Sequence, residues 1–359
     1  MAGAESMNGG FWGMRLKNKD IAEKLGISTT AVSLAINNRP GVSEETRRKV
    51  LGIINENANS NLQKVQLEEY RHGVILLCVH KKNGEIINDK PFFMQIAGSI
   101  QEEAMKAGYV VMLANYSEST DEEQYFNYIR DIRADGVIVL ATEMSVEDVS
   151  LYKKIGKPVV FLDSSFDTEQ VDCVDLDNEN AMLRSVAYAY RMGHRDIGYL
   201  IGKPRIWNFI HHYDGYRKGL REFHIEKYNH PEIELSCSIE GAYQDMKEFL
   251  NSRSENFRMP TLFLADLDYL AIGAMRALKE AGYNIPEDIS FIGYDDVTAC
   301  EIITPRLTST RVSQATCSAV AVAMLRTRLE EEDVGKGFSV RTSVSSELII
   351  RDSVRKLSV

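Results

Sequence analysis

Asp163 and Asp295 each close an apolar run that reads as a β-strand, "PVVFLD" at 158–163 and "FIGYD" at 291–295, and Tyr294 stands beside the second. A carboxylate supplies two acceptor oxygens and an aromatic ring supplies a flat face. Together they suit a hydroxylated or amine-bearing small molecule. An Asp at the turn from strand to helix also serves as a helix cap, and that alternative stays open for each. The stretch "WNFIHHYDGY" adds Trp207 and Asn208 as further lining groups, with plain packing as the alternative for the Trp. Catalytic patterns are missing: there is no GxGxxG or GxxxxGK[ST] loop, no HExxH and no GxSxG. His211 and His212 are adjacent and point apart on a helix or a strand, so no metal is expected there. The five cysteines (78, 173, 237, 300, 317) are scattered, which suits reduced thiols in a cytoplasm. Neither a cofactor nor an enzymatic activity is expected.

The elements that would carry these groups alternate. Apolar bursts at 73–79, 110–114, 136–141, 158–163, 197–202, 261–266 and 289–295 are separated by helical stretches of about ten to fifteen residues. That rhythm predicts parallel sheets joined by crossover helices. Seven such units exceed one comfortable sheet, so two lobes are expected. "AMKAGYVV" at 104–111 and "LKEAGYNI" at 278–285 echo each other across the two halves. Ligands of open α/β sheets bind at the carboxyl ends of strands, which is where the two aspartates stand.

The front of the chain differs. The net charge is −10, yet residues 14–65 carry nine Lys or Arg and five acids, or +4, leaving −14 for the rest. A basic module on an acidic body suits a nucleic-acid-binding head; a solvated helical face is the bland alternative. Asn18 can cap a short helix with Ile21, Ala22 and Leu25 on its apolar face. Gly26 turns the chain, Ile27 plugs the core, and Ser28 caps a second helix facing inward through Ala31, Val32, Ala35 and Ile36. A third helix starts at Ser43, with Glu44 and Glu45 in its first turn and Val50, Ile53 and Ile54 as its buried stripe. This is a helix-turn-helix pattern.

Together with "NNRPGVSEETRRKV", the head resembles the LacI/GalR transcriptional regulators, whose heads read roughly "DVAxxAGVSxxTVSRVLN…VSxxTRxRV". The resemblance runs from about Lys17 to Asp352 and includes "GYDD…TPRLTSTRVS" and the closing "LIIRDS". It implies that Thr29, Thr30, Ser33 and Leu34 face base edges, that Ser28 and Asn37 hold backbone or register, and that Arg47, Arg48 and Lys49 lie near phosphates. Leu34 stands where the family often has Arg, so a thymine methyl is the expected contact in place of a guanine. In the hinge, Leu67 matches the Leu that wedges into the minor groove, although the usual Tyr and Pro are missing and Glu68 and Glu69 follow. For the body the resemblance implies two Rossmann-like lobes of the type I periplasmic-binding-protein kind with an effector cleft between them. Phe92 and Phe93 match an aromatic pair at that cleft, His212 stands at the place of a cleft Arg, and Asp268 matches an acidic cleft residue after Leu267, where an Asn is usual.

The expected organisation is a disordered leader over 1–14 and a helix-turn-helix domain over 15–59. A hinge over 60–71 leads to an effector-binding and dimerisation body over 72–355. The first lobe would take about 72–175 and 309–340 and the second about 176–308 and 341–355, with crossings near Leu176, Ser309 and Arg341. The implied function is a repressor that binds a near-palindromic operator as a homodimer, away from membranes, under control of a sugar or related metabolite. The alternatives are control by a protein corepressor, or a solute-binding module with no DNA role.

Overall fold

The computed structural model of the protein describes residues 22, 25–36, 42, 43, 46, 49, 50, 73–82, 84, 86, 91–330 and 337–358. The expected leader, the hinge with Leu67, and Asn37, Arg47 and Arg48 lie outside these residues. The chain divides into two compact units, 1–72 and 73–359.

In the first unit, α1 runs Thr29–Ile36. Ser28 Oγ accepts the Ala31 N–H (3.1 Å), satisfying one of the donors that a helix start leaves open. Gly26 adopts φ +62°, a left-handed turn that suits glycine, and Ile27 N–H returns to Ala22 O. Ala22, Val32, Ala35 and Val50 are buried together, with Leu25, Ile27 and Val42 packed against them. Ser43 Oγ accepts the Thr46 N–H (3.2 Å), the same capping device repeated.

The second unit holds two six-stranded sheets. The first has the order β11-β5-β4-β3-β1-β2, from β1 (Gly73–Lys81), β2 (Tyr109–Ser117), β3 (Gly136–Leu140), β4 (Val159–Leu162), β5 (Asp172–Leu176) and β11 (Arg341–Val344), all parallel. The second has the order β12-β10-β9-β8-β6-β7. It is built from β6 (Ile197–Lys203), β7 (Glu232–Ser236), β8 (Leu262–Ala265), β9 (Ser290–Asp295), β10 (Thr308–Arg311) and β12 (Glu347–Ile349), with only β12 antiparallel. Strands buried on both faces read as continuous apolar runs. Along β1, Ile75, Leu77 and Val79 enter one core while Leu76 and Cys78 enter another on the opposite face. The first of these cores continues into the second lobe through Tyr199, Leu262 and Leu264.

The helices of the body are α2 (Pro91–Lys106), α3 (Glu122–Asp131), α4 (Val149–Lys153), α5 (Asn178–Arg191), α6 (Trp207–Glu222), α7 (Ile239–Ser252), α8 (Asp268–Glu280), α9 (Ala299–Ile302) and α10 (Gln314–Glu330). Helices α5 and α6 cross closely at Gly215, where a Cβ would lie 2.2 Å from Glu179 O. That approach sets Asn178 beside Asn208 and His212. Among the described residues no helix is long and apolar enough to cross a membrane.

The lobe boundaries differ from expectation at two places. Residues 309–311 belong to the second lobe, because β10 pairs with β9 and β12. Residues 341–344 belong to the first lobe, because β11 adds in parallel to β5. The second and third crossings therefore fall after Arg311 and after Val344, later than Ser309 and Arg341. Both strands are short and polar, "TSTR" and "RTSV", and carry no apolar run that would assign them to a sheet.

Candidate functional site

In the head, the start of α1 presents Thr29 and Thr30 exposed, with Ser33 and Leu34 half-buried; Lys49 is exposed. Capping by Ser28 and the Gly26 turn place Thr29 and Thr30 at the exposed entry of the helix.

In the body, a cleft enclosing about 530 Å³ of free space, its open mouth included, lies between the carboxyl ends of the two sets of strands. The first lobe contributes Phe93, Leu140, Thr142, Asp163 and Leu176, and the second Ile206, Asn208, Phe209, His212, Leu267, Tyr294 and Asp295. Ile86 completes the lining. The walls are mostly apolar, and no Lys or Arg is among them. Both strand-ending aspartates hold left-handed backbone, φ +68° at Asp163 and +101° at Asp295. Such strain in non-glycine residues clusters where side chains must be aimed.

Asp163 is 5% exposed. Its Oδ2 accepts from Thr142 Oγ1 at 2.6 Å and its Oδ1 from Asn208 Nδ2 at 3.2 Å, the latter a bond between lobes. Burial pushes its carboxyl up to about 6, against those two donors. Asn208 Oδ1 accepts from Asn178 Nδ2 (3.0 Å), and Asn178 Oδ1 accepts from Tyr294 OH (2.9 Å) and from His212 Nε2 (3.1 Å). The His212 and Tyr294 rings lie 3.9 Å apart, centroid to centroid. Burial lowers the His212 pKa, and Asp266 opposes that shift. His212 Nδ1 faces Asp266 Oδ1 at 3.4 Å. Asp266, fully buried, also accepts from Tyr199 OH (2.6 Å), Gly202 N (2.8 Å) and Arg205 Nη1 (2.8 Å). Arg205 Nη2 donates to Phe209 O (2.6 Å), so its guanidinium is used behind the cleft wall.

The raised Asp163 pKa has a testable sign. The folded carboxyl titrates near 6 and the unfolded one near 3.8, so the folded state holds more protons in between. Stability therefore falls as pH rises through that window, by about 1 kcal/mol between about pH 5 and pH 7. In urea melts at the two pH values, the fall should be smaller in Asp163→Asn by that amount, the remainder coming from groups such as Asp268, whose carboxyl is pushed up to about 7 by burial. A wild-type-minus-variant difference that does not change with pH would count against a protonatable Asp163.

Of the residues expected at the cleft, Phe93, Asp163, Asn208, His212, Tyr294 and Asp295 line it together. Trp207 does not; it is half-buried and its ring stacks on His211 at 3.9 Å. Asp268 does not either. It is a buried anchor whose Oδ1 accepts from Ser309 Oγ (2.6 Å) and whose Oδ2 accepts from Val297 N (2.9 Å). It tolerates only glycine at 293, where a Cβ would lie 2.0 Å from Asp268 Oδ1. Its neighbour Leu267 takes the lining position because α8 begins at Asp268 and turns that carboxyl inward. The side chain of Phe92 lies outside the described residues. Sequence reasoning missed Thr142, Asn178, Arg205 and Asp266. Asp266 carries the signal that revealed Asp163, an acid closing an apolar run, "TLFLAD". Among the described residues no group of three or more His, Cys, Asp or Glu could hold a metal ion.

A helix-turn-helix unit ahead of a two-lobed α/β body with a cleft defines a DNA-binding regulator with an effector domain. The family described as bacterial regulatory proteins, lacI family, matches residues 18–58, and the periplasmic binding protein-like domain family matches residues 186–354. The HTH-type transcriptional repressor PurR of Haemophilus influenzae is 28% identical over 347 residues, covering 94% of this chain and 98% of that protein. Among solved structures, the transcriptional regulator CelR in complex with cellobiose has a TM-score of 0.68 at 22% identity, covering 94% of this chain and 100% of that one. The lac repressor dimer bound to operator and the anti-inducer ONPF has a TM-score of 0.68 at 23% identity, covering 95% and 100%. These two structures share the fold. The chain thus joins a lacI-family head to a periplasmic-binding-protein-like body, the architecture of a DNA-binding transcriptional repressor with an effector-binding domain.

Proposed function

We propose that the protein represses transcription as a homodimer on a near-palindromic operator, and that a small molecule held between the lobes of the body sets its operator affinity. Thr29, Thr30, Ser33 and Leu34 face the major groove, with Ser28 and Asn37 holding register. Arg47, Arg48 and Lys49 meet phosphates, and Leu67 enters the minor groove. The effector is a sugar or related metabolite held by Asp163, Asn208, His212 and Asp295 against Phe93 and Tyr294. CelR carries cellobiose in a fold of this kind, which favours a sugar. The organisation is the one expected above: leader 1–14, head 15–59, hinge 60–71, body from 72, with the lobe boundaries corrected as described.

The observation that carries this reading is the Asp163–Asn208 bond between lobes inside a cleft lined from both sides. A ligand with donors for Asp163 changes the same contact that sets the lobes relative to each other. Coupling between cleft and operator is then reciprocal. For the dimer, Met94 and Met105 on α2 and Leu113 on the edge strand β2 are exposed apolar side chains. A face of that kind suits burial against a second copy.

The full chain should retain selected genomic DNA fragments, with affinity falling at least ~10³-fold between about 50 and 200 mM salt. A thermal-shift series over sugars, nucleosides and amino acids should give at least one stabilising compound that also changes fragment retention. Retention without fragment preference would overturn the operator reading; no stabilising compound would overturn the effector reading.

A further inference from the structure

Glu143 follows β3 in the first lobe and is 5% exposed. Its carboxylate accepts three backbone N–H groups from the connection between β1 and α2: Lys82 and Gly84 on Oε2 and Ile86 on Oε1, each at 2.9 Å. Three amides on one buried carboxylate tie that backbone to the first lobe. The Ile86 side chain goes the other way. It is 6% exposed and packs in the apolar cluster of the second lobe with Ile206, Phe209 and Leu267, three residues that also line the cleft. Among the described residues it is the single first-lobe member of that cluster. Its backbone is held by one lobe and its side chain is buried in the other, so opening the cleft must draw Ile86 into water.

We propose that Ile86 pins the two lobes together across the cleft and that Glu143, which does not line the cleft, is the residue that positions it. The inference rests on the reading of the cleft as the effector site only for its consequence: an effector that opens the lobes must offset the apolar contact of Ile86. The pinning itself is a property of the ligand-free body.

The test is the distance between lobes in the full chain without ligand or DNA. Spin labels on Asp131→Cys in the first lobe and Glu255→Cys in the second occupy exposed positions, and all five native cysteines are buried. The parent should show one dominant distance. Ile86→Ala should raise the ratio of a longer-distance population by on the order of tenfold, because truncating a buried Ile removes most of its apolar contact. Ile86→Val should raise it less. Glu143→Gln should act like Ile86→Ala, since a glutamine has one acceptor oxygen and turns an N–H donor toward the remaining amides. Ile86→Leu should keep the parent distance. The variants are compared at matched thermal melts, and the mild Ile86→Val carries the test if a larger truncation fails to fold. Parent-like distances in Ile86→Val, Ile86→Ala and Glu143→Gln, or no dominant distance in the parent, would overturn the proposal. Neither outcome touches the DNA-retention and thermal-shift experiments, whose failure in turn leaves these distances unchanged.

Discussion

Asp266→Ala should destabilise the body by about 2–5 kcal/mol, because it leaves two buried donors without an acceptor at about 1–3 kcal/mol each, while Arg205, its ion-pair partner, is 35% exposed and can turn to water. Asp266 has no exposed surface and serves four groups at once: the Tyr199 hydroxyl, the Gly202 amide, the Arg205 guanidinium and Nδ1 of His212. Deleting the carboxylate leaves the hydroxyl and the amide without their acceptor in a site closed to water, and such groups bear their full desolvation cost. Arg205 loses its ion pair and keeps its bond to Phe209 O and its place over the Phe209 ring. For a body of this size each kcal/mol moves the melting temperature by about 2–4 °C, so a drop on the order of 10 °C is expected. Asp266→Asn keeps one acceptor and should fall between the parent and the alanine variant. Melting within a degree or two of the parent would contradict this account. The contrast is with Lys106, whose partners Glu102 and Glu103 lie on an exposed helix face; removing that pair should leave melting almost unchanged.

Leu34→Arg should change which operator the protein prefers. Leu34 lies on α1, one turn beyond the capped entry that carries Thr29 and Thr30. A leucine at a base edge offers only apolar contact and so favours the thymine methyl. An arginine can reach guanine O6 and N7 with two hydrogen bonds, and such a pair is worth about 1–3 kcal/mol of discrimination. Selection from randomised operators should give T at the matching position for the parent and G for the variant. Competition between the two operators should then show on the order of tenfold opposite preferences. An unchanged selected operator would remove Leu34 from base readout. The substitution adds a cation at a half-buried surface position and leaves the packed side of α1, Val32 and Ala35, untouched.

How legible the molecule was depended on how much apolar surface each element must hide. β1, β3, β4, β6, β8 and β9 are covered on both faces, so their sequences are unbroken apolar runs, and the expected strands fall on them. β5 "DCVDL" and β7 "EIELS" mix acids with apolar residues. β10, β11 and β12 are three or four residues long and owe their place to partners far away in the chain. Nothing local marks them, and the misplaced lobe crossings follow from that. The cleft shows the same division. Asp163 and Asp295 were visible because they end apolar runs. Asn178 and Thr142 are ordinary polar residues until the crossing of α5 and α6 and the end of β3 bring them together. Asp268 misled because a carboxylate at a helix start points to solvent or to a ligand only if the next strand leaves room; Gly293 and Ser309 close around it here.

The three passages between lobes leave from neighbouring strands. β5 and β11 are adjacent at one border of the first sheet, and β10 and β12 are adjacent at the border of the second. The third passage is only residues 345 and 346. In mechanical terms the tethers act as an axle set along one side. Short parallel tethers resist sliding and twisting of one lobe past the other, yet each has a few free torsions that permit rotation about their common line. Rotation about that line is then expected to be the softest motion between the lobes. Any compound that prefers one angle of that rotation moves everything attached to it, so chemically unrelated ligands could produce the same mechanical output.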